Sequence, residues 1–282
     1  MFIRILITFF VFLTTLLLPF VFIGFLLIPG VGEIIGAMAS LIIFLAFIFW
    51  GEKIILTMSN AFLLKGKMSL RQTMANQTCL LGMDSVELYI THKHSNNLFI
   101  ISSLFGNSIV IGRELFDRLN KHEVRSLVVY GIHKLKANDS FYASVNTLCF
   151  SMFFLPLFIL KTLEETKFLK LGVLFKFLAD TATYFYFPAL SWNQFVMKKV
   201  VNHIRFDKEF CVKTDLNHAL SSAFFKIEMI PGKSGIKASS FILNQVSILP
   251  DINLELGREM NFLHNPFVER YTNIYSKGPA TK

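Results

Sequence analysis

Two long runs without charged residues open the chain. No charge interrupts Ile5–Gly32, and after Glu33 a second charge-free run covers Ile34–Trp50. About 20 apolar residues are enough for a helix to cross the hydrocarbon core of a bilayer, and Ile5–Ile28 alone meets this length. The pattern therefore predicts a transmembrane helical hairpin over residues 1–50.

A secretory signal peptide is the alternative interpretation of the first run, with Arg4 as its positive residue. The run is longer than the roughly 7–15 apolar residues of a signal peptide, and no small-residue cleavage site follows it. Lysines and arginines follow Trp50, whereas the turn of the hairpin carries only Glu33. By the positive-inside bias, we expect the N-terminus and the segment after Trp50 to face the cytoplasm.

Two further apolar runs lie in mid-chain. Ser140–Leu160 has no charge, and Phe177–Met197 is interrupted only by Asp180. We expect a second transmembrane hairpin over residues 140–197, which makes about four transmembrane helices in total. A re-entrant or monotopic hairpin is the alternative, because a carboxylate at the middle of a bilayer is costly.

The more polar remainder has two parts, residues 51–139 and 198–282, which we expect to fold together on the cytoplasmic face. In the first part, three short runs are rich in strand-forming residues, and a stretch with apolar residues at helix spacing follows them. These segments are Ser85–His92, Asn97–Ser103 and Ser108–Gly112, and then the helical Arg113–Lys136. The predicted fold class is an α+β membrane protein with a small sheet.

Composition supports a membrane protein. Hydrophobic residues make up 53% of the 282 residues, charged residues make up 17%, and Phe occurs 32 times. Soluble domains carry about 25% charged residues, and disordered chains are less hydrophobic than this one. The net charge of +9 in so apolar a chain indicates an excess of positive residues at the membrane surface rather than a nucleic-acid interface.

The three cysteines lie far apart without a CxxC pair, which argues against a disulfide framework or a thiolate zinc site.

Seven segments of the chain follow, in the same order, the sequence pattern of a known group of enzymes. They are Gly51–Met58, Asn97-Leu98-Phe99, Ser108–Leu119, Glu123–Asp139, Phe206-Asp207, Asn217–Leu220 and His264–Arg270. By these segments the chain resembles the HtpX-type membrane zinc metallopeptidases, which are related to the CAAX prenyl proteases. The resemblance implies a cytoplasmic, gluzincin-like peptidase domain built from a small sheet and helices.

The catalytic motif of that family is degenerate in this chain. Such enzymes need HExxH on a helix, in which two His bind zinc and the Glu is the general base, and a later Glu is the third ligand. In register, Tyr130, Gly131 and Lys134 stand at the His, Glu and His positions. His203 stands at the later ligand position, four residues before a retained Asp207. Because Tyr130 and Lys134 replace the two histidine ligands, and Gly131 has no side chain to take a proton from water, we expect no catalytic residue, no metal and no cofactor.

Lys134 places a positive charge where the metal's charge would lie. We hypothesise that its ammonium group replaces the zinc charge, pairs with Asp207 or hydrogen-bonds to His203, and holds the two helices in register without a metal. A structure in which Lys134 points away from that cleft would contradict the hypothesis.

The resemblance implies a pseudopeptidase that has lost catalysis and acts by binding membrane proteins or extended peptides. Its role would be that of a scaffold or regulator, for example in membrane protein quality control. A peptide would lie as an added strand beside the edge strand, with Asn97, Phe99 and Ile101 as substrate-binding residues. The expected location is the bacterial inner membrane, with the lipid bilayer as a partner and no nucleic acid.

An active membrane zinc metalloendopeptidase with an atypical site is the alternative. It would hold Zn²⁺ through His133 and His203, and it must explain the glycine at the general-base position. His122-Glu123 begins an HExx pattern, but the residue where the second His would stand is Ser126. We therefore expect these two residues to open a helix, where a glutamate interacts favourably with the helix dipole.

A transporter or channel subunit is a third class of function. It would use Asp180 as an ionisable group within the membrane. The large polar part and the lack of a visible internal repeat make this class the least favoured of the three.

Overall fold

The chain begins with an antiparallel helical hairpin. The computed structural model describes residues 2–65, 68–92, 97–165, 172–200 and 203–229, together with Val246 and Ile274. One arm of the hairpin is continuous and consists of α1 (Phe2–Phe12), a π-helical segment (Leu13–Leu17) and α2 (Leu18–Leu27); the other arm is α3 (Gly32–Ser59). Both arms are long enough and apolar enough to cross a bilayer, as the sequence predicts.

The remaining elements form a small sheet and further helices. They are β1 (Ala61–Leu63), α4 (Met68–Leu80), β2 (Val86–Thr91), β3 (Leu98–Ser102), β4 (Asn107–Gly112), α5 (Arg113–Arg118), α6 (Lys121–Lys136), α7 (Asp139–Phe153), α8 (Leu155–Glu165), α9 (Gly172–Val200), α10 (His203–Lys213) and α11 (Asn217–Met229).

The two arms of the hairpin approach each other closely through glycines. A Cβ atom on Gly24 would lie 2.0 Å from the carbonyl oxygen of Gly32, and one on Gly36 would lie 2.2 Å from the carbonyl oxygen of Phe20. Larger residues would force the arms apart, and small residues at helix interfaces are typical of membrane helices.

The half of the hairpin that is farthest from the sheet exposes its apolar side chains. The exposed residues there include Leu18, Phe22, Leu26, Val31, Ile34, Met38 and Ile42. Nearer the sheet, Val11, Leu16 and Ile55 are fully buried. This exposed apolar surface is suited to a lipid environment.

The sheet is mixed, with the strand order β1-β2-β4-β3. Strands β2 and β4 run parallel in the middle, β1 pairs antiparallel with β2, and β3 pairs antiparallel with β4 at the other edge. The three strands predicted from sequence are thus confirmed as β2, β3 and β4, and the predicted edge strand is confirmed as β3.

Both faces of the sheet are covered by apolar layers. On one face, Ile100 and Ile109 belong to a core that includes Leu127 of α6 and residues of α4, α10 and α11. On the other face, Phe99 and Val110 belong to a core formed with the hairpin and α7. Because successive residues of a strand point to opposite faces, each strand contributes to both layers.

The mid-chain prediction needs correction. The predicted span Ser140–Leu160 is divided between α7 and α8, and α7 is a largely buried helix with polar residues such as Asn146 and Thr147 in its interior. At 15 residues it is about 22 Å long, shorter than a bilayer core of about 30 Å. Helix α9, which contains the predicted span Phe177–Met197, is 29 residues long, but it is less apolar than the two arms of the hairpin. Within the described residues, two helices rather than four have the length and hydropathy of a span.

Candidate functional site

Helix α6 carries the degenerate motif, and its sequence fixes where the helix begins. The Asn120 side chain accepts a hydrogen bond from the Glu123 backbone, and the Glu123 carboxylate accepts one from the Asn120 backbone, each at 2.8 Å. This reciprocal pair satisfies N–H groups at the helix start that have no partner within the helix. The interpretation of Glu123 as a residue that opens the helix is confirmed.

Tyr130 is fully buried and connects α6 to α10. Its hydroxyl donates a hydrogen bond to Oδ1 of Asp207 at 2.7 Å, and Asp207 is also fully buried. The Tyr130 ring lies edge-to-face against Phe206, Phe210 and Phe224, with ring centroids 5.1, 5.2 and 5.7 Å away. This aromatic cluster fills the helix interface at the position where the resemblance places the first zinc-binding histidine.

Gly131, at the general-base position, faces the sheet. A Cβ atom there would lie 2.8 Å from Cδ1 and 3.3 Å from Cγ1 of Ile109, and 3.7 Å from Cδ1 of Ile100. A glutamate at this position would have to displace the Ile109 side chain and bury a charge in an apolar layer. The close contact between α6 and the sheet therefore requires a small residue here.

Lys134 lies one turn after Tyr130, on the same side of α6. It is 4% exposed, so the structure buries it in the helical layer rather than directing it to solvent. Oδ1 of Asp207, for which Lys134 was the expected partner, accepts the Tyr130 hydroxyl. His203 is the first residue of α10, and its side chain lies outside the described part of the structure. The hypothesis that Lys134 replaces the metal charge remains a hypothesis.

His133, the fallback metal ligand, lies at the edge of this cluster. It is half-buried, and its ring packs edge-to-face against Phe210 at 5.4 Å. Burial lowers the pKa of the imidazole, and the positive charge of Lys213 lowers the pKa further. Among the described side chains, no group of three or more His, Cys, Asp or Glu residues is arranged to hold a metal ion.

The expected substrate-binding residues are core residues in the structure, which corrects the sequence interpretation. Phe99 is 1% exposed and Ile101 is fully buried, both in the layer shared with the hairpin and α7. Asn97 is also buried; its Oδ1 accepts a hydrogen bond from the backbone N–H of Leu98 at 2.8 Å, and its carbonyl accepts one from Gly112. Sequence alternation indicates a strand, but it does not show that a second apolar layer covers the face predicted to bind peptide.

Two buried polar contacts were not predictable from sequence. Glu123 also accepts hydrogen bonds from Ser222 at 2.7 Å and from Lys226 at 2.8 Å, which join α6 to α11. Glu52 of α3 is buried and accepts a hydrogen bond from Ser108 of β4. In each pair the residues lie more than 50 positions apart, and the signal that sequence offers is, for Glu52, a carboxylate at the end of an apolar run.

A similar contact attaches the N-terminal arm to the sheet and helices that follow the hairpin, which together we call the domain. Arg4 forms an ion pair with Asp139 at 2.7 Å and donates to the carbonyl of Ala137 at 3.2 Å. Further along the arm, Asn146 donates to Thr8 at 3.2 Å. The start of α1 and the end of α3 therefore both lie against the domain.

The segment His264–Arg270, which contributes to the family resemblance, lies outside the described residues. Comparisons with known protein families, with curated proteins and with solved structures find no match for this chain.

Proposed function

We propose that this chain is a non-catalytic, membrane-anchored protein of HtpX-like architecture that acts by binding extended peptide segments. The observation that carries the proposal is the buried Tyr130–Asp207 hydrogen bond and its surrounding phenylalanines. A zinc peptidase needs ligands around an open coordination position and a base beside the bound water. Here the corresponding space is filled by a phenol ring, and Gly131 supplies no base.

The hairpin supports membrane anchoring with the domain on one side. Arg4, at the start of the first arm, and Glu52, near the end of the second arm, both lie at the open end of the hairpin, where they contact the domain through Asp139 and Ser108. The turn residues Ile28 and Val31 are exposed at the distal end. We place the hairpin in the bacterial inner membrane and the domain in the cytoplasm, where a role in membrane protein quality control fits an attached peptide-binding domain.

The edge strand β1 is the better candidate for peptide binding by strand addition. At the β3 edge, the backbone N–H of Ser102 donates to the Ser144 hydroxyl at 3.3 Å, so α7 lies against that edge. On β1, by contrast, Phe62 is 62% exposed and Leu63 is 40% exposed. A cavity of about 420 Å³ lies beside β1, between β2 and α4. An exposed edge with an adjacent apolar cavity suits an extended segment.

The test uses the full chain purified in detergent, expressed with ample zinc and without a histidine tag. Zinc content is measured by elemental analysis, and β-casein, an unfolded protein, is the binding and cleavage probe. We expect no bound zinc and no cleavage, with or without a chelator, and casein binding that is weakened in Phe62→Asp. The matched control is Leu80→Asp, at a site that is 77% exposed on α4, and it should bind casein like the wild type.

Each alternative has its own outcome. One zinc per chain together with chelator-sensitive cleavage would replace the proposal with the active metalloendopeptidase. Equal casein binding by Phe62→Asp and the wild type would exclude β1 as the binding edge. No casein binding by the folded wild-type chain would contradict the binding function itself.

A further inference from the structure

A short loop between β3 and β4 carries exposed apolar residues beside the hairpin. Leu104 is 59% exposed and Phe105 is 67% exposed, and Trp50 of α3 is 49% exposed next to them. The Phe105 ring stacks on Phe49 with centroids 5.2 Å apart, and it lies edge-to-face with Trp50 at 6.3 Å. The loop and the helix thus form one continuous aromatic surface.

This loop is fixed to α3. The backbone N–H of Leu104 donates to the carbonyl of Ile48 at 2.9 Å, and the N–H of Ser103 donates to the carbonyl of Gly106 at 2.8 Å. Gly106 lies directly against the Glu52 carboxylate, where a Cβ atom would collide with it. Because backbone and side-chain contacts both hold the loop, its position along the axis of α3, which we call its height, is fixed.

That height corresponds to the edge of a bilayer. Trp50 follows Gly32, the first residue of α3, by about 27 Å at 1.5 Å per residue, and a hydrocarbon core is about 30 Å thick. The charged residues Glu52 and Lys53 come next, and Lys53 is exposed. Tryptophan is enriched at the membrane–water interface, and lysine side chains there reach the lipid headgroups.

We propose that the β3–β4 loop, residues 103–106, is a second membrane contact that inserts Leu104 and Phe105 into the bilayer interface beside Trp50. The inference rests on the proposed membrane hairpin, since the apolar surface of α3 continues into the loop. The occupant is lipid, because the patch lies at the interfacial depth and joins the lipid-exposed hairpin. Such a contact would fix the height of the whole sheet above the bilayer.

The experiment measures depth by tryptophan quenching. The chain has two tryptophans, Trp50 and Trp192. A Trp192→Phe variant reports on Trp50 alone, and a Phe105→Trp variant that also carries Trp50→Phe and Trp192→Phe reports on the loop. The full chain is reconstituted in phosphatidylethanolamine–phosphatidylglycerol vesicles that contain lipids brominated at shallow or deep acyl positions. The control reporter is Leu80→Trp in the same tryptophan-free background.

We expect Trp50 and the Phe105→Trp reporter to lose a similar fraction of their emission to the shallow quencher, and the Leu80→Trp reporter to lose almost none. Quenching of Trp50 with an unquenched loop reporter would overturn this inference and leave the hairpin proposal intact. Absence of quenching at both positions would overturn both. A Leu104→Trp reporter repeats the test in case the Phe105→Trp variant does not fold.

Discussion

At the scale of single residues, Tyr130 determines how α6 packs against α10. A phenol ring fits the three surrounding phenylalanines, and its hydroxyl reaches Asp207. A buried carboxylate needs a hydrogen-bond donor, because an isolated charge in an apolar layer is costly. Tyr130 supplies that donor, and its ring also fills the space between α6 and α10.

Tyr130→Phe should therefore lower the stability of the protein. The ring is retained while one donor to buried Asp207 is lost, which costs about 1–3 kcal/mol of unfolding free energy. Denaturant unfolding in detergent, followed by circular dichroism, measures the change. The matched control is Tyr89→Phe, because the Tyr89 hydroxyl donates to Glu87 in an exposed position and its loss should cost less than about 0.5 kcal/mol. Equal stability of Tyr130→Phe and the wild type would show that the hydrogen bond contributes nothing.

At the scale of single residues, the sequence indicates which positions are unusual, but it does not show which partners their side chains contact. The register of Tyr130, Gly131 and Lys134 singles out α6, and Asp207 singles out α10. The hydrogen bond between Tyr130 and Asp207 joins residues 77 positions apart. The contact of Gly131 with Ile109 depends on the distance between helix and sheet, which side-chain types alone do not determine.

Between elements, Glu123 connects the start of α6 to α11. Burial alone raises the pKa of its carboxyl group, but hydrogen bonds from Lys226, Ser222 and the Asn120 backbone outweigh burial and lower the pKa below the ordinary value of 4.5. The pKa of Glu123 is lower in the folded state than in the unfolded state. Ionised Glu123 therefore stabilises the protein at pH values above the unfolded-state pKa. That contribution is lost as the pH falls through the folded-state pKa.

Glu123→Gln should accordingly destabilise the protein by about 1–3 kcal/mol near pH 7. The difference from the wild type should shrink as the pH falls below about 4.5, since protonation removes the charge that the substitution removes. Unfolding free energies from pH 3 to 7 provide the measurement. Asp117→Asn, in an exposed pair with Arg113, is the control and should change stability by less than about 0.5 kcal/mol. A pH-independent difference for Glu123→Gln would contradict the argument.

Among the elements, sequence patterns identify β2, β3, β4 and the helix that contains Glu123, because each has a clear apolar period. Helix α4 was not predicted, since it buries only Leu70, Met74 and Thr78 in an otherwise polar stretch. Strand β1 has three residues, too few for a period. The apolar run of α7 predicts a membrane span, but the helix is buried by the sheet and the hairpin, and apolar composition alone does not distinguish these environments.

For the whole molecule, the two ends of the hairpin lie beside the domain, so the domain and the hairpin turn should lie on opposite sides of the membrane. The native cysteines make this testable, because Cys79 is exposed on the domain while Cys149 and Cys211 are buried. In bacterial cells, a membrane-impermeant maleimide should label Cys79 in inverted vesicles and not in intact spheroplasts.

A Val31→Cys, Cys79→Ser variant should show the reverse labelling, since Val31 is exposed at the hairpin turn. Labelling of both positions from the same side would show that the hairpin does not cross the bilayer. Labelling of Cys79 only in spheroplasts would place the domain outside the cytoplasm.

The two-sided burial of the sheet has a practical consequence for dissecting the protein. Phe99, Ile101 and Val110 are at most 1% exposed, on the face that the hairpin and α7 cover. A fragment that lacks the first 50 residues would present part of this face to water, where apolar surface favours association with other chains. The domain is therefore not an independent soluble module with a detachable anchor. The hairpin supplies part of its interior, so removal of the hairpin should expose that interior to water.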